Sequence, residues 1–198
     1  MTVPALAAAS MVIIDDRPDL HVLVGRRRPG PFVGGMIVYP GGAVEALDHS
    51  AGPARVSGAS VPGLEAREAA AYLHAAVRES REEVGLWPDA DAPIDGREYV
   101  AVGHWVTPED APRRYDTRFF LARFPEGPEP RPVDGELVEV WWARPSETLA
   151  QLDRGELEAI SPTVSFLTAL SHYRNVEEAF AGSNRGTQRS YEWGVTTF

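Results

Sequence analysis

Short β-branched runs open the chain at residues 11–14 and 21–25. The turn-forming Asp15-Asp16-Arg17-Pro18-Asp19 separates them, which predicts a hairpin or two neighbouring strands. Residues 36–39 predict another strand, stopped by Pro40-Gly41-Gly42. Residues 43–63 are rich in Ala, Gly, Ser and Pro and show no hydrophobic period. A stretch of that kind inside a compact domain is usually functional or flexible. From about residue 64 to residue 84 the apolar spacing becomes helical, and Gly85 follows as the expected stop. Strand-like runs recur at 99–106, 118–124 and 137–143, the last two separated by a Pro-rich turn at 125–132. Residues 146–152 read as a short helix and 163–181 as one longer helix entered through Ser161-Pro162. The polar tail from Gly182 is expected to be loosely held. The pattern predicts an α/β fold, a mixed sheet with helices packed on it.

On the 64–84 helix, Ala76, Val77, Ser80 and Val84 lie within about 60° of Leu73, so this stripe faces the core. Glu79, Glu82 and Glu83 fall together on another side at i, i+3, i+4 spacing, where side chains are neighbours and like charges repel. Arg78 and Arg81 interleave with them, so a solvated acidic face is one reading. The other is a site for a hard cation, which takes carboxylate oxygens together with substrate phosphate oxygens. Arg78 stands four residues before Glu82, close enough to hold it.

Composition narrows the chemistry. The 198 residues suit one domain and carry a formal charge of −10. There is no Cys, which excludes a thiol nucleophile, disulfides and thiolate metal sites. Lys is also absent, which removes a Schiff-base or P-loop lysine. Phosphate must therefore be met by Arg, backbone amides or metal. The acidic balance argues against a nucleic-acid partner. No apolar run is long enough for a membrane span, and the Ala-rich start lacks the basic region of a signal peptide, so a cytoplasmic protein is expected.

The string Arg78-Glu79-Ser80-Arg81-Glu82-Glu83-Val84-Gly85-Leu86 resembles the C-terminal half of the Nudix box, G-x5-E-x7-R-E-U-x-E-E-x-G-U with U apolar. Pro40-Gly41-Gly42 matches the turn that opens the box. Arg78 stands 36 positions after Gly42 instead of the pattern's 14, an insertion of 22. Counting back eight positions from Arg78 to the box's first Glu finds Ala70; Glu45 and Glu68 are out of register. Ser80 stands where an apolar residue is usual, which should loosen packing slightly. The insertion is similar to that of a Nudix subgroup that includes an animal coenzyme A diphosphatase. Val22-Leu23-Val24-Gly25-Arg26-Arg27, residues 40–48 and residues 113–122 add to that likeness.

The resemblance implies an α/β/α sandwich around a mixed sheet, as a single domain over 1–198. Its core would span 10–181, with 43–63 as the insertion and 182–198 as a tail. It implies hydrolysis of a nucleoside diphosphate linked to another group, with Mg²⁺ or Mn²⁺, by attack of water on phosphorus. Glu79, Glu82 and Glu83 are then the metal ligands, Arg78 orients them, and Gly42 permits the close turn beside the metals. Glu136 and Glu139 are candidates for a further catalytic Glu outside the box, against their reading as surface strand charges. Coenzyme A or its esters, nucleotide sugars, dinucleotides and oxidised nucleotides stay open as substrates. So does a non-catalytic nucleotide-binding sensor. Relatives of this kind often form homodimers, and 43–63 is either a lid or a subunit contact.

Among the remaining residues, Arg26, Arg27 and Arg28 offer guanidinium forks for phosphate, and at most one of them, Arg26 for preference, is expected to bind substrate. Arg118 points either into the site or into the scaffold beside Asp116. Trp105, Tyr115, Trp141 and Trp142 either stack on a base or fill the core, the commoner role for strand aromatics. The five histidines show no metal-ligand spacing and are taken as ordinary. Phe166, Leu167, Leu170 and Tyr173 read as core.

Overall fold

The computed structural model describes residues 3–30, 33–183, 189–190 and 196–197. Strand β1 (Leu6–Asp16) runs through the middle of the sheet. It pairs antiparallel with β2 (Leu20–Arg27) and β4 (Gly41–Ala43), and parallel with β8 (Tyr115–Arg123). Strand β2 also pairs with β3 (Ile37–Val38) and β9 (Leu137–Ala143), and β7 (Val100–Val106) lies outside β8. Further strands are β5 (Val56–Ser57) with β6 (Ile94–Asp95) in a small second sheet, and β10 (Arg189–Ser190) with β11 (Thr196–Thr197) beyond β7. One parallel pair among antiparallel ones makes the main sheet mixed, as the sequence pattern predicts.

Period-two alternation divides the core between two faces of this sheet. Ala9, Met11, Ile13, Leu23, Phe120 and Ala122 face helices α1 (Ala46–Arg55) and α2 (Ala66–Val84). Val12, Ile14, Val22, Val24, Phe119 and Leu121 face the other way. They pack there against α4 (Ser161–Leu170) and α5 (Val176–Ser183), with α3 (Pro145–Asp153) against α4. The result is the expected three-layer α/β/α arrangement. Phe166, Leu167 and Leu170 are buried as predicted, with Tyr173 packed against them.

Two expectations change. Residues 43–63 are not structureless, because they hold α1 and β5. Helix α1 buries only Asp48 and Gly52, four residues apart, against α2. Gly52 lies so close that an added Cβ would stand 2.8 Å from the Ala70 carbonyl oxygen. A helix docked through a carboxylate and a glycine has no apolar stripe to read. The second change is that the single helix expected over 163–181 is two. The chain turns after α4, the Leu20 amide donates to the Arg174 carbonyl, and the Asn175 side chain accepts from the Glu178 amide to start α5. The tail from Gly182 lies largely outside the described residues.

The strand expected at 118–124 begins earlier, at Tyr115, where it extends the parallel register with β1. Helix α2 ends as predicted, with Gly85 left-handed at φ 76° and its amide donating to the Arg81 carbonyl. No helix among the described residues is long and apolar enough to cross a membrane.

Candidate functional site

Helix α2 carries Leu73, Ala76, Val77, Ser80 and Val84 into the core, all of them buried. The Ser80 hydroxyl is fully buried and donates to the Ala76 carbonyl at 2.8 Å, so its place in an apolar position leaves no polar atom unpaired. The same helix presents Glu79 and Glu83 toward the Gly41-Gly42 turn, with Glu82 beside Arg78. Strand β4 is pinned to β1 with Gly42 opposite Ala9. The Glu79 carboxylate rests on Gly42 so closely that a Cβ there would stand 2.5 Å from its Cδ and Oε1. Only glycine fits beneath it.

Arg78 organises the cluster. Its Nη1 donates to Glu79 at 2.8 Å and to Glu82 at 3.0 Å, and its Nη2 to the Ala43 carbonyl at 2.9 Å. Its other edge is held by Asp48, with Nε to Oδ1 at 3.1 Å and Nη2 to Oδ2 at 2.9 Å. Asp48 is fully buried and has two further contacts, a hydrogen bond with His74 Nδ1 at 2.7 Å and one from the Glu45 amide at 2.8 Å. Burial alone would raise its pKa. The hydrogen bonds from His74 and Arg78 overcome that and hold it at about 2. Asp48 was missed by counting backward from Arg78. Counting forward from Gly42 over five residues lands on it, so the insertion follows the box's first acidic position. Nor is His74 an ordinary core histidine, because it buttresses Asp48.

The three box carboxylates sit in unlike surroundings. Glu82 is half exposed, whereas Glu83 is only 2% exposed and accepts from the Gly41 amide at 2.9 Å. Burial pushes the Glu83 carboxyl up to about 8 despite that hydrogen bond, and burial also raises Glu79. A solvated acidic face would show neither shift. Among the described residues, no three acidic or histidine side chains converge at metal-ligand spacing. Arg78 and the Gly41 amide hold these oxygens instead. The donor set nevertheless suits a hard divalent ion. It is all carboxylate, on one side of one helix, partly desolvated and short of positive charge.

The segment between β8 and β9 brings further acid to this cluster. The amides of Arg131 and Val133 donate to the Val84 and Glu83 carbonyls at 3.1 and 3.0 Å, which satisfies the open end of α2. Glu136 follows, paired with Arg27 at 2.9 Å and close enough to raise Glu79 further. Glu139 takes a different position. It stands opposite Arg26 in the β2–β9 register and pairs with it at 3.1 Å. Both lie on the α4–α5 face beside Trp141, with the Arg26 guanidinium 5.4 Å from the Trp141 ring centre. Ordinary alternation along β2 points Arg27, not Arg26, toward the box, and the extra residue opposite them is Val138 of β9. Glu136 and Arg27 therefore adjoin the acidic cluster, while Glu139 and Arg26 are directed away from it.

Arg118 projects from β8 toward α2 and sits 3.9 Å from Asp116. Trp105 and Trp141 pack on the α4–α5 side and Trp142 on the α2 side, where Arg17 lies 4.2 Å over its ring. Tyr115 is half-buried at the start of β8.

A family profile described as the NUDIX domain matches residues 4–163. Among solved structures, a NUDIX hydrolase from Alicyclobacillus acidocaldarius superposes with a TM-score of 0.80 at 28% identity, covering 91% of this chain and 97% of that one. The NUDIX domain of NrtR from Shewanella oneidensis, complexed with ADP ribose, gives 0.55 at 14% identity over 84% and 86% of the two chains. An Ap4A hydrolase from C. elegans gives 0.52 at 14% identity over 92% and 100%. At that identity the last two show a shared fold. A comparison with curated proteins finds no match.

Proposed function

This chain belongs to the NUDIX domain family and is an enzyme of the Nudix hydrolase type, and we propose that it cleaves the diphosphate of a nucleoside diphosphate linked to a second group. The observation that carries the reading is the seating of Glu79 on Gly42 while Arg78 ties Glu79 and Glu82 to the buried Asp48. A purely structural helix gains nothing from a partly desolvated carboxylate cluster, since burying such charge is costly.

Glu79, Glu82 and Glu83 are the residues that would hold Mg²⁺ or Mn²⁺. Such an ion neutralises the diphosphate and lowers the pKa of attacking water. The chain's own residues supply the rest. Arg78 fixes Glu79 and Glu82, the Gly41 amide fixes Glu83, and Gly42 lets the substrate-facing turn approach. Water adds to one phosphorus, the bridging P–O bond breaks, and the bridging oxygen leaves with the second phosphate. Glu136, steadied by Arg27 beside Glu79, is the carboxylate outside the box placed to take the proton of that water. Glu139 and Arg26 have no such access in this arrangement.

Within that class we favour coenzyme A or its esters, on the likeness of the insertion and of residues 113–122 to the long-insertion subgroup. The site itself addresses only the diphosphate. A single cytoplasmic domain acting on a small nucleotide, without nucleic acid or membrane partners and as a monomer or homodimer, completes the reading. The test is a hydrolysis screen with Mg²⁺ and with Mn²⁺ over coenzyme A, ADP-ribose, nucleotide sugars, dinucleotides and oxidised nucleotides. Glu82→Gln and Glu83→Gln run beside the parent. Turnover that collapses in both variants is expected. Undiminished turnover in both would remove the assignment, and tight nucleotide binding without turnover would make the protein a sensor.

A further inference from the structure

Arg118 is the most conspicuous group that the diphosphate chemistry leaves unused. Its side chain is only 12% exposed and its Nε is fully buried without a hydrogen-bond acceptor. Its ion-pair partner is Asp116, at 3.9 Å from Nε, too far for a hydrogen bond. A buried guanidinium normally has its donors satisfied, because leaving them unmet costs desolvation without return. An unmet one beside an active site points to an acceptor brought by a ligand.

The sheet register locates this group. Arg118 stands opposite Ala9 of β1, and Ala9 opposite Gly42 of β4, on which Glu79 rests. Two strand spacings separate Arg118 from Gly42, about 10 Å along one row of the same sheet face. Helix α2 lies chiefly over β1 and β4, so the row beyond it, Arg118 with His104 of β7 opposite, lies beside the helix. Tyr72 of α2 forms the near wall.

The surroundings say what kind of acceptor fits. His104 Nε2 hydrogen-bonds Asp116 Oδ1 at 2.7 Å, and among the described residues no hydrogen bond is found to Asp116 Oδ2, next to the unmet Nε of Arg118. Glu68, one turn before Tyr72, adds another carboxylate. With Asp116 beside the guanidinium and Glu68 acting on the same Tyr72, a second phosphate dianion is poorly matched. A neutral edge that offers both an acceptor and an N–H donor is well matched, and a nucleobase is such a group. The span of about 10 Å accommodates the sugar between the cleaved diphosphate and its base.

We propose that Arg118 and Asp116 form the nucleobase-recognition subsite of this enzyme, Arg118 donating to a ring nitrogen or carbonyl and Asp116 accepting from a base N–H. This inference rests on the diphosphatase reading for its substrate class. The full chain is assayed with ADP-, GDP-, UDP- and CDP-glucose, which differ only in the base. Binding of AMP, GMP, UMP and CMP is measured by calorimetry without metal.

The parent should prefer one base by at least about tenfold in kcat/KM and bind the matching monophosphate most tightly. Arg118→Gln and Arg118→Met should raise KM for the preferred substrate about tenfold, leave kcat nearly unchanged and flatten the base preference. Their Tm should stay close to the parent value, since the buried Nε has no hydrogen bond to lose. Asp116→Asn, which adds an amide donor, should change the order of preference. A parent with no base preference in either assay overturns the proposal. So do Arg118 variants that lose all four substrates equally in kcat. Base-selective binding with no hydrolysis of any substrate would remove the diphosphatase reading and leave this subsite standing.

Discussion

Asp48 and Arg78 form a buried two-pronged ion pair across α1 and α2, with Nε to Oδ1 at 3.1 Å and Nη2 to Oδ2 at 2.9 Å. The pair fastens helix α1 to α2 beside the acidic cluster. Asp48 comes from the first turn of α1 and Arg78 from the middle of α2. Through Nη1 the same guanidinium then sets Glu79 and Glu82.

Removing Asp48 should therefore cost both stability and activity. Asp48→Ala leaves a buried guanidinium without its counter-charge, and a loss of about 3 kcal/mol in urea unfolding is expected. Activity should fall with it, through misplaced Glu79 and Glu82. In the parent, the folded-state value of about 2 lies below the ordinary 3.8. The stabilisation from ionised Asp48 is thus complete above pH 3.8 and disappears as pH falls through 2. That contribution is about 2 kcal/mol. Acid unfolding of Asp48→Asn should lack it. Identical acid profiles for parent and variant would contradict the assignment.

Glu83 should act in the opposite sense. Its folded value of about 8 exceeds the ordinary 4.5. Stability from the protonated form is therefore complete below pH 4.5 and is lost as pH rises through 8. Metal-free parent should lose Tm steadily between pH 5 and 8. Glu83→Gln should flatten that slope and melt higher than the parent at pH 8, while losing hydrolysis. Mg²⁺ should raise the Tm of the parent far more than that of the variant.

Gly42 is tested by the smallest possible change. A methyl group there would occupy the space of the Glu79 carboxylate, 2.5 Å from its carbon. Gly42→Ala should displace Glu79 and reduce kcat/KM by about 100-fold. Circular dichroism should show the fold retained, because the collision is with a side chain rather than with backbone.

Glu136 and Glu139 separate cleanly by experiment. Glu136→Gln should reduce kcat by at least about tenfold with little change in KM. Glu139→Gln, which breaks only a half-exposed pair with Arg26, should leave kcat and KM near the parent values. Equal effects of the two would mean that the β9 register does not govern access to the site.

The site and the fold were legible to different degrees. Glu79, Glu82, Glu83, Arg78, Gly85 and the buried stripe through Leu73 and Val84 follow from spacing on one helix, and the structure keeps them there. The strands were legible because their alternation is dictated by one sheet with two covered faces. Helix α1 was not, because it docks through Asp48 and Gly52, and neither residue contributes to an apolar period. The break between α4 and α5 was missed because both helices are apolar on the same side and a local cap at Asn175 separates them.

Sequence by itself determined which residue types stand three and four positions apart on α2, since helix geometry converts that spacing into adjacency without help from the rest of the chain. Only the tertiary structure decided which distant residues join them. Asp48 and His74 meet through helix packing, Glu136 arrives because its segment caps the end of α2, and the β2–β9 pairing leaves Arg27 with Glu136 beside the box and Arg26 with Glu139 on the far face. The physical reason is that strand register and helix docking are settled by long-range pairing and burial, which no local spacing encodes.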